Sequence, residues 1–180
     1  MMNDILHALD NGEVTVVTLL DLSAAFDTID HNILCQRLEH LYGISGTPLN
    51  WFSSYLSNRT QTVTNNNKLS QPTLFNFSVP QGSVLGPILF ILYTKPLTTL
   101  IRRHSISNQP FADDTQLHDS CRPDQIDTSV QGMQDCISDV KTWVTSNKLK
   151  LNDDKTVSAH CLEQNLFPKP SPNLHSHRRH

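Results

Sequence analysis

The segment Val14-Thr15-Val16-Val17-Thr18-Leu19-Leu20 is β-branched and apolar almost without a break, the pattern of a strand covered on both faces. Ahead of it, Ile5, Leu6 and Leu9 predict the tail of a helix stopped at Asn11-Gly12. Behind it, Asp27 or Thr28 predicts the cap of a helix with Asp30 in its first turn, a stripe of Ile33, Leu34, Leu38 and Leu41, and a stop at Gly43. Thr47-Pro48 reads as cap and first residue of another helix, with Leu49, Phe52, Tyr55 and Leu56 on one face. Arg59–Thr64 and Thr73–Val79 predict a hairpin, since Phe75, Phe77 and Val79 alternate with Leu74, Asn76 and Ser78.

From Val84 to Arg103 the chain is apolar nearly all round, which predicts a buried helix with Pro87 in its first turn. Two short strands, Ile106–Phe111 and Thr115–His118, flank the turn that carries Asp113 and Asp114. Ile126, Val130, Met133, Ile137, Val140 and Trp143 recur at helical spacing and predict an amphipathic helix covering a sheet. Lys148–Leu151 and Thr156–His160 read as a last pair of short strands around Asn152-Asp153-Asp154-Lys155. From Cys161 the periodicity ends in Pro168, Pro170, Pro172 and a His/Arg-rich terminus, so 161–180 reads as a disordered tail and 1–160 as one domain.

Composition narrows the picture modestly. The 180 residues, 37% hydrophobic and 17% charged, suit a globular domain, and the net charge of −3 gives no overall basic footprint for nucleic acid. Cys35, Cys121, Cys136 and Cys161 are too widely spaced for a zinc ribbon or a disulfide framework and read as reduced thiols. Met1-Met2-Asn3-Asp4 lacks the basic and apolar regions of a signal peptide, and no apolar run approaches membrane-spanning length. The expectation is an intracellular protein, cytoplasmic or nuclear, without a membrane partner.

Three acids carry the candidate chemistry. Asp21 ends the buried strand, where a carboxylate is costly unless paired or metal-bound. Asp113 and Asp114 are adjacent, so they repel unless the fold supplies a cation. Mg²⁺ takes oxygen ligands, often one or two carboxylates plus substrate phosphates. Nucleotidyl transfer uses two such ions, about 4 Å apart, one at the attacking oxygen and one at the leaving group. A solvated acidic turn is the bland alternative for Asp113-Asp114.

The wording around these acids resembles one family. Leu20-Asp21-Leu22-Ser23-Ala24-Ala25-Phe26-Asp27-Thr28-Ile29-Asp30-His31 is similar to the first catalytic motif of LINE-type (non-LTR) retrotransposon reverse transcriptases. Trp51-Phe52-Ser53-Ser54-Tyr55-Leu56 with Arg59 resembles the next block, Val79-Pro80-Gln81-Gly82-Ser83-Val84-Leu85-Gly86-Pro87 the second motif, and Phe111-Ala112-Asp113-Asp114-Thr115-Gln116-Leu117 the third. Trp143 through Leu149-Lys150-Leu151-Asn152-Asp153-Asp154-Lys155-Thr156 resembles the fourth, so the likeness runs in family order over about 10–157.

The resemblance implies an α+β polymerase palm, with an antiparallel sheet carrying the aspartates and helices packed on one face. It implies RNA-directed DNA synthesis by two-metal nucleotidyl transfer with Mg²⁺, Mn²⁺ being the alternative ion. Asp21 and Asp113 would be the main metal ligands, with Asp114 contributing less directly. Phe26 would be an aromatic gate beneath the incoming sugar; packing against the next helix is the other reading. Gln81 and Gly82 would lie against nucleotide and template, or form a simple turn. Lys155 would sit near the departing pyrophosphate as a catalytic proton donor or charge partner, or stand solvated. The implied partners are an RNA template, a DNA primer and deoxynucleoside triphosphates.

Some positions depart from the family pattern. Ser78 stands where glycine is common, Pro110 precedes the acidic turn and removes a ladder donor, and His118 replaces a usual tyrosine. Upstream finger motifs and a thumb are missing, so the sequence reads as a truncated remnant of the enzyme. Two alternatives stand beside this reading. One is a group II intron-like reverse transcriptase, against which the Asp21–His31 and Gln81–Pro87 wording counts. The other is a dead palm that only binds metal or protein.

Overall fold

The computed structural model describes residues 2–66, 68–152 and 155–162. Along them run α1 (Met2–Asp10), β1 (Val14–Asp21), α2 (His31–His40) and α3 (Thr47–Leu56). The short strands β2 (Arg59–Gln61), β3 (Thr64–Asn65), β4 (Lys68–Leu69) and β5 (Thr73–Phe75) follow. Then come α4 (Gly86–Arg103), β6 (Ser107–Phe111), β7 (Asp114–Cys121), α5 (Ile126–Ser146) and β8 (Val157–Leu162). Four strands form one antiparallel sheet in the order β6-β7-β1-β8.

The alternation of β1 divides this sheet into two unlike faces. Val16, Thr18 and Leu20, with Leu117 from β7, are buried in a core shared with Leu89, Phe90, Tyr93 and Ile101 of α4 and Met133, Cys136, Val140 and Val144 of α5. Each such apolar side chain contributes about 1.5–3 kcal/mol on burial. The opposite face carries Val17, Leu19 and Asp21, and Leu19 is 40% exposed. The expectation of a strand covered on both faces therefore holds only at the start of β1, where Thr15 on this second face is fully buried; towards Asp21 the helices cover one side alone. At the far end of β1 and β7, α1 packs down and Asp4 meets His118 at 3.8 Å.

The helices on the covered side are tied together by Arg37. Its guanidinium reaches from α2 to the carbonyl of Tyr93 and the side-chain oxygen of Asn147, lying 4.5 Å from the Tyr93 ring centre and 5.2 Å from that of Trp143. Tyr93 returns its hydroxyl to the Asn147 carbonyl at 2.6 Å.

Several local expectations shift. Asp30, not Asp27 or Thr28, caps α2, its carboxylate accepting from the backbone N–H groups of Asn32 and Ile33 at 2.9 and 3.0 Å. A short 3₁₀ turn, Ala25–Asp27, occupies the earlier positions. Leu41 leaves the stripe and is exposed, since α2 has ended at His40. Gly46, with φ 62, replaces Thr47 as the cap of α3.

The hairpin forms between β2 and β5, but its second strand stops at Phe75 instead of Val79. A further two-stranded ladder, β3 with β4, lies within the connection. α4 begins at Gly86, not Val84, and is buried along one side only, leaving Ile88 and Ile91 in solvent; Val84, ahead of it, is exposed too. The seam of α5 runs through Ser129, Met133, Cys136, Val140 and Val144, one step round from the expected stripe.

The last strand begins at Val157 and pairs with β1, not with 148–151. Leu151 instead bridges Leu22. β8 runs to Leu162, and the remainder of the expected tail, 163–180, lies outside the described residues. Pro110 does not disturb the acidic turn. It sits on an edge strand, where a missing donor is tolerated, and the register runs unbroken from Ser107↔His118 to Phe111↔Asp114.

Candidate active site

β1 delivers Asp21 at its last residue, and the β1–β7 register sets it directly opposite Asp114. Cross-strand partners share a face, so both carboxylates stand on the side of the sheet without the large helices. Asp113 occupies the two-residue loop with Ala112, which takes φ 52, a conformation that L residues adopt at a cost. The loop is tied to the end of β1, for the Leu22 N–H donates to the Asp113 carbonyl at 3.3 Å.

Two like charges face each other here. The proton of Asp114 is held above the ordinary carboxylate range, chiefly through its hydrogen bond to Asp21. Burial and the charges of Asp21 and Asp113 add to this, while Lys155 opposes it. Lys155 lies 3.7 Å from Asp21, with its side chain 72% exposed and that of Asp21 only 13%. Asp21, Asp113, Asp114 and Lys155, with Leu19 and Gln116, line a cleft of ≈ 340 Å³.

The fourth motif holds Asp21 in place through Asn152, a residue that sequence reasoning did not single out. Its side-chain amide donates to the Asp21 carboxylate at 2.8 Å, and its backbone N–H to the Asp21 carbonyl at 2.9 Å. Its own carbonyl accepts from Lys155 and Thr156, and this turn brings the ammonium back to the acids. Its place three residues before Lys155, in a block already quoted, was the available signal.

The carboxylate pair has the chemistry of a cation site, with oxygen donors, mutual repulsion and partial shielding from water. Among the described residues, no set of three His, Cys, Asp or Glu side chains is gathered into a ready-made metal site. Asp153 and Asp154, beside Asn152, lie outside the described residues. A larger concavity of ≈ 990 Å³ opens at the other end of the sheet, against α1, and contains none of the candidate residues.

Phe26, Gln81 and Gly82 form a second group rather than part of that cleft. The Phe26 ring stacks on Phe90 of α4, centres 4.7 Å apart, and packs against the core. The Val79 N–H donates to the Phe26 carbonyl and the Ser78 N–H to that of Ile29, binding the second motif to the first. Gln81 donates to Asp27 at 2.9 Å, and Gly82 turns the chain at φ 74. The tightest glycine is Gly86, also missed. A Cβ there would stand 2.8 Å from the Pro80 carbonyl oxygen, so the turn closes only because that atom is absent.

Comparison with known proteins agrees with the geometry. Residues 2–176 match the family described as reverse transcriptase (RNA-dependent DNA polymerase). The chain is 29% identical, over 93% of its length, to a probable RNA-directed DNA polymerase from transposon BS of Drosophila melanogaster, and covers 19% of that protein. It is 26% identical, over 86% of its length, to the RNA-directed DNA polymerase from mobile element jockey of the same fly, covering 17% of it. It thus spans under a fifth of these relatives. Among solved structures, apo telomerase from Candida tropicalis overlays with a TM-score of 0.64 at 18% identity, covering 90% of this chain and 33% of that one, which is a likeness of fold. Among the described residues, no helix is long and apolar enough to cross a membrane.

Proposed function

We infer that this chain, which belongs to the reverse transcriptase (RNA-dependent DNA polymerase) family, forms the palm of an RNA-directed DNA polymerase of a LINE-type mobile element. One observation carries the reading: Asp21 and Asp114 are cross-strand partners at the open end of the sheet, with Asp113 in the adjoining loop. In this reading Asp21, Asp113 and Asp114 hold the divalent ions, Mg²⁺ by preference and Mn²⁺ as a substitute. So few protein ligands fit a site that substrate phosphates complete. The bound ions would supply activation of the primer 3′-hydroxyl and a counter-charge for the leaving pyrophosphate.

The chain's own residues hold this arrangement. Asn152 orients the Asp21 carboxylate by occupying one of its oxygens. Lys155, exposed and close to Asp21, would meet the negative charge of the pyrophosphate or give it a proton. Phe26, fixed on Phe90, and the Gln81-Gly82 turn, fixed to Asp27, are assigned to the nucleotide side. RNA template, DNA primer and deoxynucleoside triphosphates are the proposed substrates, and residues 1–160 the palm unit.

Primer extension on an RNA template with deoxynucleotides and Mg²⁺ tests this. Because the chain covers only 17% of the jockey polymerase, it is best carried in a chimera that replaces the matching segment of that protein. A folded chimera should extend the primer and lose extension with Asp21→Asn or Asp113→Asn. Undiminished extension by Asp21→Asn in a folded chimera would overturn the assignment.

A further inference from the structure

We propose that Trp51, Tyr55 and Arg59 form a stacking platform for the unpaired bases of a single-stranded nucleic acid. Trp51 and Tyr55 are four apart on α3 and so share one face, and the chain turns after Leu56 to bring Arg59, at the start of β2, beside Tyr55. The Trp51 and Tyr55 rings are nearly parallel, 11° apart with centres at 5.5 Å, and the Arg59 guanidinium lies 5.8 Å from the Tyr55 ring centre. Phe52 meets Trp51 edge-on at 5.2 Å. Phe52 and Tyr55 are themselves packed against the core, so the platform is held rigid from below.

Trp51 is nevertheless 53% exposed, whereas tryptophan is ordinarily well buried. A large aromatic ring with its rotamer fixed and a face in solvent can accept a flat partner at little entropic cost. Base–aromatic stacking with an adjoining arginine is the usual grip on single strands.

The Arg59 guanidinium beside Tyr55 favours a polyanion over a neutral protein surface as that partner. The net charge of −3 conceals a sharp segregation: between Glu39 and Asp113 the chain holds no carboxylate, while Arg59, Lys68, Lys95, Arg102 and Arg103 all fall there. Among the described residues Arg59 has no acidic partner, and its charge is free to meet a phosphate. The platform is also connected to the second motif. β5, which pairs with β2 at Arg59↔Phe75, leads directly into Ser78–Gly82. The inference deepens the polymerase reading by naming where an unpaired strand is gripped, but the binding itself needs no metal, nucleotide or catalytic carboxylate.

Fluorescence anisotropy with labelled oligo(U), oligo(dT) and a blunt duplex of equal length tests it, in EDTA and at several salt concentrations. The single strands should bind more tightly than the duplex. Trp51→Ala should weaken single-strand binding by about tenfold or more, and Trp51→Phe should retain it within about threefold. Arg59→Gln should weaken binding and lower the salt slope by about one. A preference for oligo(U) or for oligo(dT) would assign the strand as RNA or DNA.

Equal binding by wild type and Trp51→Ala, with both folded by circular dichroism, overturns the proposal. So does a wild type that binds no single strand, or a Trp51→Ala variant that loses only self-association or protein capture. Trp51-dependent binding alongside a folded chimera that fails to extend would sink the polymerase reading and leave the platform standing.

Discussion

Ser78 offers the sharpest test of how the second motif is held. Its φ of 84 lies in the left-handed region, which an L side chain adopts at a cost of about 1–2 kcal/mol relative to glycine. What fixes it is backbone: its N–H donates to Ile29 at 2.8 Å, and its carbonyl accepts from the His31 Nε2–H at 2.7 Å. Glycine would keep both bonds and relieve the strain, while giving the unfolded chain about 0.4–1 kcal/mol of extra freedom. Ser78→Gly should therefore stabilise the fold by about 0.5–1 kcal/mol. For a chain of this size that is an increase in Tm of about 1–4 °C. Ser78→Ala, which leaves the strain in place, should change little. Urea and thermal unfolding followed by circular dichroism measure both. A Ser78→Gly protein no more stable than Ser78→Ala would refute strain at this position.

Three further outcomes follow from the same geometry. A carboxyl whose proton is held more tightly in the folded chain stabilises the fold below its ordinary value of 3.8 and loses that contribution as pH rises through the raised value. Asp114→Asn, relieving the repulsion, should thus gain up to about 1 kcal/mol near pH 7 and nothing near pH 3, by urea unfolding at the two pH values. Burial holds His118 below its ordinary 6.5, so folding loses stability as pH falls below 6.5, and His118→Gln should flatten that loss in a thermal melt series. Gly86→Ala, which in an open helix would gain about 1 kcal/mol, should instead cost about 1–3 kcal/mol through contact with the Pro80 carbonyl, by equilibrium unfolding.

What the sequence disclosed depended on range. β1, α4, α5 and the acidic hairpin were legible because each is set by local periodicity or by turn residues, as in the run Val14–Leu20 and the stripe ending at Trp143. The pairing of β8 with β1, across most of the chain, has no local signature, and Lys148–Leu151 looked just as much like its partner. Asp30 as cap was missed because Asp27 and Thr28 are equally good caps, and only the 3₁₀ turn decides among them. At the site, motif resemblance pointed to Asp21, Asp113 and Asp114 but could not say which acid faces Asp21, since that is fixed by register. Asn152 and Gly86 act through a long-range hydrogen bond and a missing Cβ; the motif around Lys155 hinted at the first, and nothing local marks the second.

The central claim, that these carboxylates are a divalent-cation site of a polymerase palm, is tested most directly by Mn²⁺ binding followed by electron paramagnetic resonance. The chain should bind Mn²⁺ weakly alone and more tightly when a deoxynucleoside triphosphate is added, because phosphates complete the coordination. Mg²⁺ should compete, and Asp21→Asn and Asp114→Asn should each weaken binding by at least about tenfold. Equal binding by wild type and both variants, with or without the nucleotide, would contradict the account.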